Sequence, residues 1–261
     1  MFRDMPGLLD KRGALYVLAI GVDKYAQLPP TCGALGNQPC DLHFAGKDAR
    51  AFRDVLVKHA GPLYAGVKTL LLAQDGDRPP TKANIEDALQ DMLSKARPED
   101  TTVLFIAGHG TSEGRGADYM FLPEGAEIVG QELRRSTIIP WQTFQVALQN
   151  TPGRRLMFAD TCHSGGAYNS RLVNDAANAN IIVFSATDTE TLSWEFDTLA
   201  HGAFTYALIE GLEGKARRPD GTVSVLTLGD FVSQEVSRLT QEKQQPTFHM
   251  SGTKNFTLAN Q

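Results

Sequence analysis

Two residues with the chemistry of a nucleophile and a base stand at corresponding places in the sequence. Cys162 follows the mostly apolar run Arg155–Ala159 and precedes a glycine-rich turn, and His109 follows the apolar run Val103–Ala107 in the same way. Each run predicts a buried strand, and the carboxyl ends of parallel strands are where open α/β sheets carry their chemistry. A thiolate is a strong nucleophile, and an imidazole within reach can take its proton and later protonate a leaving amine. The pair therefore predicts a cysteine hydrolase.

The elements that must position this pair alternate between strand-like and helix-like patterns. Continuous apolar runs predict strands buried on both faces, and apolar residues at helical spacing predict the helices between them. Thr81, which follows two prolines, is expected to cap one of these helices. The alternation predicts an α/β fold, a three-layer α/β/α sandwich. The predicted strands are Leu15–Ile20, Val67–Ala73, Val103–Ala107, Arg155–Ala159, Ile181–Ser185 and Asn255–Leu258, and the predicted helices are Asp41–Lys58, Thr81–Ala96, Trp141–Gln149, His201–Leu212 and Leu226–Leu239.

Length and composition fit one globular domain. The 261 residues are 42% hydrophobic, which is enough to bury a full α/β core near the upper size of a single domain. Residues 1–13 are expected to form an N-terminal extension without the features of a secretory signal, and residues 14–261 the folded domain. The net charge of −5 and the lack of a dense Lys/Arg run argue against nucleic acid as a partner. No apolar run is long enough to span a membrane.

The cysteine content indicates a reducing, cytoplasmic location. Three cysteines, an odd number, disfavour a disulfide framework. Cys32 and Cys40 could pair or bind a metal, but no partner set stands at zinc-finger spacing, and both are interpreted as ordinary loop thiols. A metal site built from His109, Cys162 and His163 would lack a fourth ligand, so no metal is predicted there and His163 is expected to be structural.

The string at 160–165, Asp-Thr-Cys-His-Ser-Gly, with Gly-His-Gly about 50 residues before it, resembles the caspase-like cysteine peptidases. An aspartate two residues before the cysteine is typical of the metacaspase, orthocaspase and paracaspase branch, and the resemblance runs from about Ala14 to Leu258. It implies a caspase-haemoglobinase-like fold with a mostly parallel central sheet. It also implies a dyad of His109 and Cys162, with an oxyanion hole formed by the backbone N–H groups of Gly110 and Cys162.

The acidic residues near the cysteine indicate the substrate. By strand alternation Asp160 lies on the same side as Cys162, where a carboxylate would hinder thiolate formation unless it serves another purpose. In metacaspases and paracaspases the matching aspartate lines the S1 pocket with an aspartate of the first helix, and the loop after the next strand completes the pocket. The pocket residues implied here are Asp48, Asp160, Glu195 and Ser185, with Asp188 and Glu190 as alternatives to Glu195. They imply cleavage after Arg or Lys, although each acid could instead be an ordinary surface charge or helix cap.

The resemblance also bears on regulation, partners and cofactors. An enzyme of this specificity would act on proteins or peptides with Arg or Lys at P1, and could be controlled by a separate sensor or activator, or by cutting itself in an exposed loop. No cofactor is required, but calcium is possible, as in many metacaspases, although the acids Asp175, Asp188 and Glu190 lack the alternation of a loop site. The candidate self-cleavage sites are Arg171, which is favoured, and Arg134, Arg135, Lys215, Arg217 and Arg218.

Rival interpretations of the same residues stay open. A hydrolase of small amides or esters would use the same dyad. In a non-catalytic caspase-like scaffold, Cys162 would be a buried strand-end thiol and His109 a histidine satisfied in a tight turn, but the presence of both residues disfavours this interpretation. A nucleotide-binding domain would need Gly-x-Gly-x-x-Gly after the first strand, where Gly-Val-Asp stands at 21–23.

Overall fold

The computed structural model describes residues 12–32, 38–112, 119–130, 132–164, 176, 178–186, 195–196, 199–250, 252 and 254–260. The strands within these residues are β1 (Ala14–Gly21), β2 (Thr31–Cys32), β3 (Gln38–Pro39), β4 (Gly66–Leu72), β5 (Thr101–Ser112), β6 (Tyr119–Phe121), β7 (Ile128–Val129), β8 (Glu132–Leu133), β9 (Ile139–Pro140), β10 (Arg154–Ser164), β11 (Ile182–Ser185), β12 (Glu195–Phe196), β13 (His201–Gly202), β14 (Thr222–Ser224), β15 (Thr247–His249) and β16 (Thr257–Asn260). The helices are α1 (Ala45–Ala60), α2 (Lys82–Lys95), α3 (Trp141–Asn150), α4 (Ala203–Glu210) and α5 (Val225–Leu239). Short 3₁₀ turns lie at Gly61–Leu63 and Arg135–Thr137, and a π-helical turn at Gly211–Lys215.

Within the described residues the central sheet has eight strands, and most neighbouring strands are parallel. Its order is β15, β11, β10, β5, β1, β4, with β6 added antiparallel to the end of β5 and β9 paired to β6. The strands from β11 to β4 all run parallel, whereas β15 closes the other edge antiparallel to β11. The long strands β5 and β10 therefore lie side by side at the middle of the sheet, with their carboxyl ends together.

Two apolar cores cover the two faces of this sheet. Successive residues of β5 alternate between them: Val103 and Phe105 belong to one core, and Leu104 and Ile106 to the other. The first core contains the apolar sides of α1, α4 and α5, and the second contains those of α2 and α3. Since strands buried on both faces need apolar residues at every position, this arrangement explains the continuous apolar runs in the sequence. The predicted three-layer α/β/α sandwich is confirmed.

The helix that carries Asp48 is fixed at its start by a residue after the first strand. The carboxylate of Asp23 accepts a hydrogen bond from the backbone N–H of Gly46, at 3.1 Å from each oxygen. This bond satisfies one of the N–H groups that have no partner within a helix. Asp23 thus ties the first turn of α1 to the carboxyl end of β1, and Asp48 lies in the same turn.

Several predicted boundaries need correction. Helix α1 begins at Ala45 rather than Asp41, and α4 begins at Ala203, because His201 and Gly202 form the short strand β13. The last strand, β16, lies two residues beyond its predicted position at each end. The expected cap of α2 is confirmed, since the Thr81 side chain accepts a hydrogen bond from the N–H of Asn84.

Candidate active site

The sheet register places the predicted nucleophile and base directly opposite each other. Cys162 of β10 pairs with His109 of β5 in a parallel ladder that runs from Arg154–Thr101 to Ser164–Thr111. Adjacent strands lie about 4.8 Å apart, so side chains at opposed positions of neighbouring strands are within reach of each other. The structure therefore brings together the backbone positions of the two residues that the sequence predicts as a dyad.

The His109 ring is held by a carbonyl oxygen outside the sheet. Its Nε2 lies 2.8 Å from the carbonyl oxygen of Cys40, and the residue is 4% exposed. Because a carbonyl oxygen only accepts hydrogen bonds, Nε2 carries the proton of the neutral ring. Nδ1 is then the unprotonated, basic nitrogen. The contact therefore fixes the tautomer in which Nδ1 can accept a proton.

The backbone of His109 is held by a buried tyrosine. The Tyr25 hydroxyl accepts a hydrogen bond of 2.8 Å from the backbone N–H of His109, and the two ring centroids lie 4.8 Å apart. Burial lowers the pKa of His109, and this effect exceeds the opposing influence of the Cys40 carbonyl and the Asp41 charge. A lowered pKa keeps the imidazole neutral near pH 7, which is the form that a general base requires.

The predicted oxyanion glycine lies against an aromatic ring. A Cβ built at Gly110 would come within 2.3 Å of the Tyr119 ring, so a larger residue does not fit there without displacing that ring. The Tyr119 hydroxyl in turn donates a hydrogen bond of 2.8 Å to Thr161 Oγ1, next to Cys162. Tyr119 therefore links the end of β5 to the end of β10, beside the dyad positions.

Two buried carboxylates converge on one backbone position. A Cβ built at Gly202 would lie 3.0 Å from Asp160 Oδ2 and 3.2 Å from Asp48 Oδ2. Both aspartates are buried, at 6% and 3% exposure respectively. Asp160 Oδ2 accepts a hydrogen bond of 2.6 Å from the Thr205 hydroxyl of α4. The structure thus brings together the two acids that the sequence predicts as a pocket, from α1 and β10.

Asp48, the second member of this acidic pair, is hydrogen-bonded to β13. Asp48 Oδ1 accepts from His201 Nδ1 at 2.5 Å, and Asp48 Oδ2 accepts from the Gly202 N–H at 3.0 Å. Burial raises the pKa of Asp48 to about 7; the charge of Asp160 adds to this, whereas the bonds from His201 and Gly202 oppose it. A carboxyl with this pKa changes its charge in the neutral range.

The remaining predicted pocket residues lie on neighbouring strands. Ser185 ends β11, is 5% exposed, and pairs in register with Ala159, the residue before Asp160. Glu195 of β12 pairs with Gly202 of β13, the residue on which the two carboxylates converge. The backbone of both predicted residues therefore lies near the acidic pair.

Several predictions fall on residues or side chains outside the described part of the chain. Arg171, the favoured cleavage site, lies there, as do Asp175, Asp188 and Glu190 and the side chains of Cys162, His163 and Glu195. Of the other candidate cleavage sites, Arg134 is bound to Glu127, Lys215 to Glu210 and Arg218 to Thr222. Arg134, Arg135, Lys215 and Arg217 are exposed.

The interpretation of Cys40 as an ordinary loop thiol is wrong. Cys40 is disulfide-bonded and 2% exposed, and it packs in the second apolar core with Tyr25 and Leu28. The odd number of cysteines disfavoured a disulfide framework but does not prevent a single bond. The disulfide constrains Cys40, whose backbone carbonyl oxygen binds the His109 ring. It therefore helps to hold that ring in place.

Three contributors to the site have no signal in the sequence. Tyr25, His201 and Thr205 are isolated residues without a motif, and each acts through a contact between distant segments. His201 is the first residue of a predicted helix, which would direct its side chain differently. Only the packing of β13 and α4 against α1 and β10 shows the place of His201 and Thr205, and only the contact with β5 shows that of Tyr25.

Neither a metal cluster nor a membrane span occurs within the described residues. Among them, no three His, Cys, Asp or Glu side chains are grouped so as to hold a metal ion. No helix in this part of the chain combines the length and the apolar character needed to cross a membrane.

The sequence has clear relatives. A family model of the caspase domain, peptidase C14, matches residues 15–257. The chain belongs to the caspase domain family. Metacaspase-1A of Aspergillus oryzae is 30% identical over 146 residues, which cover 50% of this chain and 32% of that protein. Metacaspase-1 of Scheffersomyces stipitis is 30% identical over 144 residues, with 50% and 34% covered. The matched part thus spans about a third of the length of these metacaspases.

A solved structure supports the fold of this caspase domain. The crystal structure of protein GSU0716 from Geobacter sulfurreducens superposes with a TM-score of 0.62 and covers 95% of this chain and 97% of that one. The sequence identity is 17%, so the likeness concerns the fold alone. Together with the family match it confirms the resemblance to caspase-like peptidases and the predicted fold class.

Proposed function

We propose that this caspase domain is a cysteine endopeptidase that cleaves peptide bonds after Arg or Lys. The observation that carries the proposal is the opposition of Cys162 and His109 in paired strands, beside two buried carboxylates that converge on Gly202. Cys162 and His109 supply a nucleophile and a base, and the two carboxylates supply negative charge for a cationic side chain.

The dyad would act in two stages. His109 Nδ1 takes the thiol proton of Cys162, and the thiolate attacks the carbonyl carbon of the scissile bond. The backbone N–H groups of Gly110 and Cys162 stabilise the oxyanion, and His109 returns the proton to the leaving amine. Water then hydrolyses the thioester with His109 again as base. The contact between Nε2 and the Cys40 carbonyl supports this role, because it stabilises the ring when Nδ1 becomes protonated.

The preference for a basic P1 residue follows from charge and burial. Asp48 and Asp160 are buried acids with like charge, an arrangement that costs free energy unless a cation or a proton compensates it. A P1 guanidinium or ammonium group supplies that cation. An aspartate at P1 would add a third negative charge and would be rejected.

The dyad is tested with variants of its two members. Cys162→Ala and His109→Ala should each abolish peptide hydrolysis while the far-UV circular dichroism spectrum is unchanged, since dyad members act as a unit. His43→Ala, which removes an exposed histidine, is the matched control and should retain activity. Full activity of the Cys162→Ala protein would refute the proposal.

The pocket is tested with peptides that differ only at P1. Peptides with Arg or Lys at P1 should be cleaved far faster than the peptide with citrulline, which is neutral, and the peptide with Asp should not be cleaved. Asp160→Asn and Asp48→Asn should reduce kcat/KM for the Arg peptide, whereas Asp54→Asn, at an exposed position of α1, should not. A preference for citrulline or Asp, or unchanged turnover in both pocket variants, would show that the acidic pair has another role.

The same experiments separate the alternatives. A hydrolase of small amides or esters would turn over small esters in a Cys162-dependent way but cleave no peptide of the panel, and a non-catalytic scaffold would do neither.

Four further predictions belong to the same proposal and remain predictions. They are control by self-cleavage at Arg171, control by a separate activator, a requirement for calcium, and action in the cytoplasm.

A further inference from the structure

One histidine and one glycine, adjacent in β13, bind both oxygens of a buried acid. His201 Nδ1 lies 2.5 Å from Asp48 Oδ1, and the Gly202 N–H donates to Asp48 Oδ2 at 3.0 Å. Asp48 is 3% exposed, whereas the His201 side chain is 17% exposed and reaches solvent at one edge. These two bonds fix both the position and the rotation of the Asp48 carboxylate, because each oxygen has its own donor.

Two described side chains that can carry charge act on Asp48. His201 belongs to β13 and Asp160 to β10, and the backbone of Glu195 in β12 stands opposite Gly202. Asp160 has the same charge sign as Asp48 and reaches the same point near Gly202. Like charges in a buried pair favour protonation of one member. The His201 hydrogen bond favours the anionic form of Asp48 instead, since a ring N–H donates to a carboxylate more strongly than to a neutral carboxyl group.

A basic P1 side chain needs the anionic form. A guanidinium or ammonium group only donates hydrogen bonds, so a protonated Asp48, which itself presents a donor, would oppose it. The position of His201 thus matters to substrate binding without any contact between His201 and the substrate.

We propose that His201 is a positioning residue of the pocket for basic P1 side chains, which directs the Asp48 carboxylate toward Asp160 and keeps it anionic. This inference rests on the proposed function, because it concerns the same pocket. It adds a residue outside the pocket set that the sequence implies. Because Asp48 changes its charge near neutral pH, it also predicts that recognition of basic substrates depends on pH in that range.

The size of the effect follows from the charge of Asp48. Its pKa is about 7 with His201 in place. If loss of the His201 bond raises that pKa by about one, the anionic fraction at pH 7 falls from about one half to about one tenth. Binding of a cation should then weaken about fivefold at pH 7. At pH 9 Asp48 is mostly anionic in both proteins, so the difference should shrink to less than about twofold.

The test uses three variants and a probe that does not depend on the dyad. In a Cys162→Ala background, binding of benzamidine, a small amidinium ion, is measured by calorimetry from pH 6 to pH 9. His201→Ala should weaken binding about fivefold at pH 7 and little at pH 9. His201→Asn should restore wild-type binding, because its amide nitrogen can replace Nδ1 as the donor. His59→Ala is the matched control, since His59 lies at the other end of α1, about 16 Å from Asp48.

The same variants with an active Cys162 give a second measurement. For the Arg peptide, His201→Ala should raise KM more than it lowers kcat, and should move the acid limb of kcat/KM to higher pH. A merely structural role would lower the melting temperature and reduce kcat/KM equally at all pH values, and Asn would not rescue it. That result, or unchanged profiles, overturns the role of His201 while the proposed function stands. If the protein with His201 binds no benzamidine and cleaves after neither Arg nor Lys, both proposals fail.

Discussion

Replacing Asp48 by Asn should make the protein more stable at neutral pH while it loses activity on basic substrates. The unfolded chain ionises this carboxyl near the ordinary aspartate pKa of 3.8, whereas in the fold the pKa is raised to about 7, mainly by burial. Below pH 3.8 both states are protonated and ionisation costs nothing. Between the two values the unfolded state alone releases the proton, so stability falls as pH rises, and above pH 7 the loss is complete.

The magnitude follows from the difference between the two pKa values. About three pH units at about 1.4 kcal/mol each give a loss of about 4 kcal/mol in the free energy of unfolding between pH 4 and pH 8. Asn has a similar shape, carries no charge, and can accept from the Gly202 N–H and donate to a neutral His201. From pH 4 to pH 8 the free energy of unfolding of the variant, relative to that of the wild type, should therefore rise by about 4 kcal/mol. This corresponds to on the order of 10 °C in melting temperature.

The assay is urea unfolding followed by circular dichroism at pH 4, 6 and 8. The quantity of interest is the stability of Asp48→Asn minus that of the wild type, and it should rise with pH and level off above pH 7. Asp54→Asn, on the exposed side of the same helix, controls for the change in net charge. A stability difference that does not change between pH 4 and pH 8 would refute the argument that burial of Asp48 opposes its ionisation.

Three further predictions follow from single contacts. Tyr25→Phe should lower the free energy of unfolding by about 1–3 kcal/mol in urea melts, because the buried N–H of His109 loses its acceptor; an unchanged midpoint would show that another acceptor replaces it. Thiol titration of the denatured, unreduced protein should detect one free thiol rather than three, since Cys40 is disulfide-bonded, and three would contradict the bond. Intact-mass analysis should show fragments that end at Arg171 in the wild type but not in Cys162→Ala, and a fully active, uncut wild type would exclude a need for processing.

The strands and the dyad positions could be predicted because their signals are local. A strand buried on both faces is apolar at successive positions, and both Val103–Ala107 and Arg155–Ala159 lead into polar segments with a reactive side chain. The structure shows these segments as the ends of β5 and β10 rather than as turns. Parallel strands end at the same edge, so His109 and Cys162 had to lie at one edge of the sheet. That they are direct partners depends on the register of β5 and β10, which the sequence alone does not specify.

The acidic pair was predictable only through the family resemblance. Asp160 follows from strand alternation, but Asp48 lies on another element, and its proximity depends on how α1 packs on the sheet. The disulfide at Cys40 was missed because the number of cysteines does not reveal which of them the fold brings together.

The sequence by itself determined the alternation of elements, the two-sided burial of the sheet and the edge at which the reactive residues lie. Only the tertiary structure decided the partners of those residues: Tyr25 and the Cys40 carbonyl for His109, and His201 and Gly202 for Asp48. The physical reason is that periodicity records which side of an element is buried, whereas a hydrogen bond between distant segments depends on their relative placement. His201 illustrates the difference, because an apolar pattern that fits a helix from His201 onward also fits two extended residues followed by α4.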